Sequence, residues 1–335
     1  TQSVELLRMF AQDPLVAASR EALNILGTVP EAEAAQALQT LTATLPPRQS
    51  SLAERMVQKL RLRGVPVPAP PPVPAQGRCL ASPIDGQDNQ VLWFLVPASD
   101  QHGFQGLQIL LDGQAGIREA VGTDEVLEED LPPASPLGKL HNAGTGLQQP
   151  IWLEAPFDYG RRRALVALAR NWETHRETPL AYRLFNPLLW RWAEPEPEPD
   201  PPQPQPVPRD LAGQLLQHPA MAGWFLQSRQ IYEAAQRVLL GSDPAEPATV
   251  EHLARDSLAA SLRSDPELLP QLASALVAMA EWFELAGDSA MAGMAAGTAA
   301  TLEEESETHP LLVQMAGVGL RVAMINLARG LGLPD

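Results

Sequence analysis

A chain of 335 residues, 45% of them hydrophobic, has the length and apolar content for two or three folded cores. Its 40 acidic residues against 24 basic ones leave a net charge of −16, an acidic surface that repels phosphate backbones and speaks against nucleic-acid binding by the whole chain. The single cysteine, Cys79, excludes an internal disulfide framework and a cysteine-rich zinc site, and fits a reducing compartment such as the cytoplasm.

Thr1-Gln-Ser-Val opens without the basic region and long apolar run of a secretory signal. A short helix over Val4–Ala11 precedes Asp13–Gly27, which reads as a helix with Asp13 as cap, Pro14 at the first helical position and Gly27 at its end. Leu15, Ala18, Ala22, Ile25 and Leu26 form its apolar stripe. A second helix starts at Pro30 with Ala34, Ala37, Leu38 and Leu41 inward. A third runs from about Arg48 to Arg63 with Leu52, Met56, Val57 and Leu60 on one face and Arg55, Lys59, Arg61 and Arg63 clustered along it.

Asp13-Pro14, Val16, Ala22-Leu23, Gly27, Glu31-Ala32 and Ala35-Ala37-Leu38 together resemble a HEAT-like repeat of the phycobilisome-lyase type. The resemblance covers about residues 13–63 and departs from the family at Ala17, where an arginine is expected after the valine. It implies stacked helix pairs that present a surface to a protein. Two enzymatic relatives are not matched: no histidine here is followed by Glu, as in the metal-dependent hydroxylases built from such repeats, and residues 1–64, with seven basic against six acidic residues, lack the basic face of the alkylpurine glycosylases. So small a helical set encloses too little apolar area by itself. It is expected to dock on residues 78–193 through Leu52, Met56 or Leu60.

The run Val65–Pro74 alternates proline with small apolar residues and predicts a stiff polyproline-II tether within 65–77. In 78–193 the period shortens. Arg78–Ser82, Gln90–Val96 and Phe104–Leu111 read as strands of an antiparallel meander, because turns as short as Ile84–Asn89 allow no crossover. Gly106 marks a bulge, and Ile151–Glu154 is a candidate fourth strand leading into a helix over Phe157–Thr174, with Phe157, Ala164, Leu165, Leu168 and Trp172 toward the sheet. Trp190 and Trp192 close the module.

Its chemistry is sparse. Gly138–Gly146 lacks the glycine and the Ser or Thr that a phosphate loop needs and reads as a surface loop. Asp158, His141 and His175 are the candidate acid–base residues, and Arg161-Arg162-Arg163 with His141 is the candidate contact for an anion or other ligand. Cys79 reads as a small buried hydrophobe.

The run 194–208 alternates proline with Glu, Asp or Gln and predicts an extended linker. Beyond it, 209–335 carries sixteen acidic against seven basic residues and reads as an acidic all-helical domain. Helices are predicted over Met221–Leu240, Pro247–Arg263, Pro266–Ala286, Ser289–Glu303 and Pro310–Leu331, with short connections that make neighbours antiparallel. Trp224-Phe225 and Trp282-Phe283 are core anchors; Met291, Met294 and Met315 pack in the core or line a groove. The apolar stretch Leu311–Leu331 contains Gln314, Arg321, Asn326 and Arg329 and reads as a core helix with no membrane insertion.

The fold class is therefore multidomain and mainly α: a HEAT-like segment (1–64), one α+β module (78–193) with a small antiparallel sheet, and an antiparallel helical domain (209–335). These features point to a non-enzymatic scaffold that binds a protein partner, with homo-oligomers allowed and no cofactor or metal implied. The rival is an enzyme or small-ligand-binding protein whose pocket lies in 78–193.

Overall fold

The computed structural model describes residues 2–98, 103–142, 150–195, 209–241, 247–304 and 306–332. Among these, twelve α-helices and one six-stranded antiparallel sheet form two compact units, one of residues 1–82 with 90–199 and one of 83–89 with 200–335. Most of the expected linker 194–208 lies outside the described residues, as do the turn at 99–102, the Gly-Thr-Gly end of the 138–146 loop and the Asp243-Pro244 cap.

The first unit opens with α1 (Gln2–Phe10), α2 (Val16–Leu26), α3 (Ala32–Thr42) and α4 (Pro47–Leu62). Their inward residues, among them Leu23, Leu26, Leu38, Leu41, Ala53 and Leu60, close one core. α2 starts later than the sequence predicts. Asp13 Oδ1 accepts the Leu15 N–H at 2.8 Å, a local turn that keeps Leu15 extended, so Leu15 stays at the surface instead of joining the stripe. Gly27 ends the helix as expected, and its missing side chain makes room for Met56: a Cβ there would come within 2.4 Å of the Met56 sulfur.

The sheet follows, with β1 (Arg78–Ala81), β2 (Gln90–Pro97), β3 (Phe104–Asp112), β4 (Gly116–Val126), β5 (Leu140–Asn142) and β6 (Ile151–Ala155), ordered β4-β3-β2-β1-β6-β5. The first three pair consecutively and antiparallel, as the short turns require. β4 and β5 are additions to the expected strands; β5 lies in the stretch 138–146 that the sequence reads as a surface loop, and pairing with β6 makes it a strand. The sequence of β4 mixes glycine and charged residues because it is an edge strand with much of one side in water. The β3–β4 register shifts between Phe104 and Gly106, where the bulge was expected. β6 returns to pair with β1 and hands the chain to α5 (Phe157–Glu173).

Alternation along β1 separates the two sheet faces. Leu80, Leu95 and Trp152 form a cluster on one face with Val126 and Leu131. Cys79 and Phe94 lie on the other, against α5, where Gly160 lets the helix approach: a Cβ on it would sit 2.5 Å from the Cys79 sulfur and 2.6 Å from the Phe94 ring. Asn171 on α5 donates to the Ala115 and Ile117 carbonyls and accepts from the Ile117 N–H at 2.7 Å, tying the helix to the β3–β4 hairpin. Of the residues expected to face the sheet, Leu165 and Trp172 face elsewhere. Trp172 packs on the core of α1–α4, to which Leu60 belongs, and gives its indole N–H to the Thr44 carbonyl at 3.2 Å.

α6 (Leu180–Phe185) and α7 (Pro187–Trp190) complete this unit. Buried Arg8 on α1 donates to Asn186 and, at 2.9 Å, to the Leu184 carbonyl, a second bond between the helical segment and the mixed module.

The second unit contains α8 (Arg229–Leu239), α9 (Pro247–Ser264), α10 (Leu268–Leu285), α11 (Ser289–Thr301) and α12 (Pro310–Ala328). α8 is shorter than the predicted helix from Met221. Ser228 caps it by accepting the Ile231 N–H, and residues 222–227 run irregularly before it. That detour carries Trp224 into the core, where its indole N–H donates to the Ile84 carbonyl at 2.8 Å. Trp282, Phe283 and Met315 are fully buried, whereas Met291 and Met294 are only half-buried. α12 is the one helix among the described residues long and apolar enough to cross a bilayer; it buries Leu311, Leu312, Met315 and Leu320 within the unit. Trp224→Ala should lower stability by ~3–5 kcal/mol, since it removes a filled core volume and leaves the Ile84 carbonyl unpaired. Urea unfolding followed by far-UV circular dichroism measures this, and a loss below ~1 kcal/mol would contradict it.

Candidate functional site

The three arginines of the 161–163 run serve different places, because successive helical residues point about 100° apart. Arg161 is buried; it donates to Asp158 Oδ1 at 2.8 Å and to the Ala193 carbonyl at 2.7 Å, and its guanidinium lies 5.5 Å from the centre of a Trp190 ring. Arg163 donates to Gln90 Oε1 at 3.1 Å, and the Gln90 amide donates to the Tyr159 hydroxyl. Arg162 is half-buried.

His141 belongs to another cluster. Its Nε2 lies 3.2 Å from Glu154 Oε2, and Glu154 accepts Arg78 Nε and a terminal Arg78 nitrogen, each at 2.8 Å. The trio sits on the sheet face opposite α5. Asp158 is engaged by Arg161, His141 by Glu154, and His175 lies exposed just past the end of α5, so the expected acid–base set is not assembled. Arg55, Lys59 and Arg61 on α4 and Arg63 just past its end are all exposed.

What the fold does assemble is a cleft of about 570 Å3 in the first unit, a size ordinary for ligand sites. α3 lines one side with Gln36, Gln39, Thr40 and Thr42. The proline-rich strap contributes Pro68–Pro71. α5 adds Arg161 and Leu165, α7 adds Trp190, and the stretch after it adds Arg191, Trp192, Glu194 and Pro195. The strap is held in place at both sides. Val65 and Val67 pack on the core of α1–α4, and the Pro71 carbonyl accepts the Ala193 N–H at 2.8 Å. A run of prolines suits this position, since it needs few hydrogen-bond partners of its own.

The polar groups of the cleft are unevenly satisfied. Trp190 and Trp192 have committed their indole N–H groups, to the Tyr182 hydroxyl at 3.1 Å and the Leu188 carbonyl at 2.8 Å, so both offer ring surface only. Burial pulls the Arg161 guanidinium pKa below its usual value, and Asp158 opposes the shift. Burial likewise pulls the Arg191 guanidinium pKa down. The Arg191 guanidinium stacks 4.4 Å above the Trp192 ring, and its buried Nε has no hydrogen-bond partner among the described residues. Sequence reasoning placed Arg161 in a candidate site, but took Trp190 and Trp192 only as the close of the module. The Trp-Arg-Trp run between two proline-rich stretches was the signal for this cleft.

No protein-family profile matches the sequence, and no curated protein or solved structure is significantly similar to it.

Two predictions separate scaffold from cleft. Glu154→Gln leaves the buried Arg78 charge uncompensated and should cost ~3–5 kcal/mol in urea unfolding. A cost under ~1 kcal/mol would show that the pair does not anchor β1 to β6. Cys79 is wholly buried, and burial, followed by the nearby Glu154 charge, pushes its thiol well above the usual range. Ellman's reagent at pH 8 should leave it untouched until the protein is unfolded; prompt reaction of the folded protein would refute this.

Proposed function

We propose that this chain is a non-enzymatic adaptor, working in a reducing compartment such as the cytoplasm, that binds a partner protein through its first unit. The cleft receives a segment of that partner. The observation that carries this reading is the composition of the cleft walls: a face of α3, a proline strap and two tryptophan rings, with few groups poised for chemistry. Flat rings and prolines offer contact area at low entropic cost, and tryptophan and arginine are the residues that concentrate binding energy at protein interfaces.

The HEAT-like resemblance of residues 13–63 fits the same reading, since α3 would present the repeat surface to the partner. A small-molecule ligand is the second reading, favoured by the cleft volume.

Affinity capture with the full chain tests the proposal. Partners retained by the wild type should be lost with Trp192→Ala, a half-buried ring whose removal should leave the circular dichroism spectrum unchanged. Identical sets of retained proteins for the two would overturn the cleft as the binding surface.

A further inference from the structure

We infer that the outward face of α4 is a second docking surface of the first unit and takes an acidic amphipathic helix of a partner protein. This rests on the adaptor reading only in that a protein is bound, since α4 is no part of the cleft wall. Seven basic residues nearly balance six acidic ones over residues 1–64, but the two signs are not mixed. Arg48, Arg55, Lys59, Arg61 and Arg63 crowd into 48–63, where Glu54 is the one acidic residue. At ~100° per residue, Arg48, Arg55, Lys59 and Leu62 fall within about 60° of one another around the helix, and Arg63 borders them. Arg61 turns away and donates to Gln58 Oε1 at 3.3 Å. Arg48, Arg55, Lys59 and Arg63 are all exposed, and none is ion-paired among the described residues.

The helix itself accounts for part of this stripe. Cations near the C-terminal end suit the helix dipole, which covers Lys59, Arg61 and Arg63. Arg48 is different, because it stands in a first turn that holds no acidic residue, where a cation is disfavoured. Leu62 is different too. It is 89% exposed, more than any other large apolar side chain among the described residues, and it lines one shallow hollow with Arg55, Lys59 and Arg63. Covering this leucine is favourable only under a surface that also brings carboxylates to the cations around it.

Size decides among acidic occupants. A nucleic-acid duplex or an anionic bilayer extends well beyond the ~22 Å from Arg48 to Arg63, and would set its phosphates against the acidic remainder of a chain of net charge −16. A bilayer also needs an apolar helix face to enter, whereas Leu52, Met56, Val57 and Leu60 are turned to the core of α1–α4. A protein helix of matching length meets the stripe alone. Arg55, Lys59 and Arg63 recur every four residues, ~6 Å apart along the axis, so glutamates at that spacing on a facing helix pair with them while an apolar residue covers Leu62.

The experiment titrates the full chain with acetyl-(Glu-Ala-Ala-Leu)4-amide and with acetyl-(Gln-Ala-Ala-Leu)4-amide, read by calorimetry. The Glu peptide should bind at least about ten-fold more tightly than the Gln peptide and lose affinity as salt is raised. Arg55→Gln, Lys59→Gln and Leu62→Ser should each weaken it by about three-fold, whereas Arg61→Gln, an equal loss of charge off the stripe, should not. All four side chains are exposed, so the circular dichroism of each variant should match the wild type. Equal binding of the two peptides, or binding of neither, would overturn the inference. So would an effect of Arg61→Gln as large as that of Arg55→Gln, which would leave only unspecific attraction. Tighter association with phosphatidylserine vesicles than with the Glu peptide would overturn it in favour of a membrane. A salt-sensitive dimer lost in Arg55→Gln would overturn it in favour of a second copy. Trp192→Ala should leave binding of the Glu peptide intact, so failure of the cleft and failure of this surface are told apart.

Discussion

The first unit depends on one buried ion pair. Arg78 on β1 and Glu154 on β6 meet through two hydrogen bonds across the sheet, and His141 on β5 joins them. A charge buried at this depth tolerates one arrangement only, because a shift of one residue would turn either side chain to the opposite face and leave the other charge bare. The pair therefore sets how β6 lies against β1. β6 leads directly into α5, and α5 brings Arg161 and Leu165 to the cleft wall. The position of the cleft thus follows from a contact on the other side of the sheet.

Close approach is the second constraint. Gly160 lets α5 settle on Cys79 and Phe94, and Asn171 then reaches the β3–β4 hairpin. With α5 so placed, Trp172 projects away from the sheet onto the α1–α4 core, and Arg8 is bonded to Asn186 and Leu184 in α6 and beyond. A set of four short helices, too small to enclose its own apolar area, acquires its missing layer from the mixed module. The proline strap between them is a wall as well as a connection, because its side chains face the cleft while Pro71 accepts a backbone bond from Ala193.

Satisfaction of polar groups shows which arginines hold the first unit together. Arg78, Arg161 and Arg163 each come from the sequence as equally basic residues, and each proves to be occupied in holding the unit together. Arg191, inside the Trp-Arg-Trp run, stacks on the Trp192 ring, and its buried Nε has no hydrogen-bond partner among the described residues. This is a difference of environment, invisible in residue type.

The sequence by itself determined the elements whose information is local. Helices α2–α4 and α9–α12 follow from apolar periodicity punctuated by proline and glycine, and β1, β2 and β3 from short β-rich runs with turns too tight for a crossover. Even the bulge beside Gly106 was legible, because the alternation fails there. Only the tertiary structure decided the rest. β4 is an edge strand whose Gly116–Val126 sequence carries little strand preference of its own and is held by β3 alone within the sheet. α8 gives up its first turns because burying Trp224 against the Ile84 carbonyl outweighs helix propensity over 221–228. The cleft, above all, is built from four stretches far apart in the chain, α3, the strap, α5, and the end of α7 with the residues after it. Periodicity describes how a segment repeats along itself. It holds no record of which distant segment will cover it, and that is settled by packing and by the pairing of buried charge.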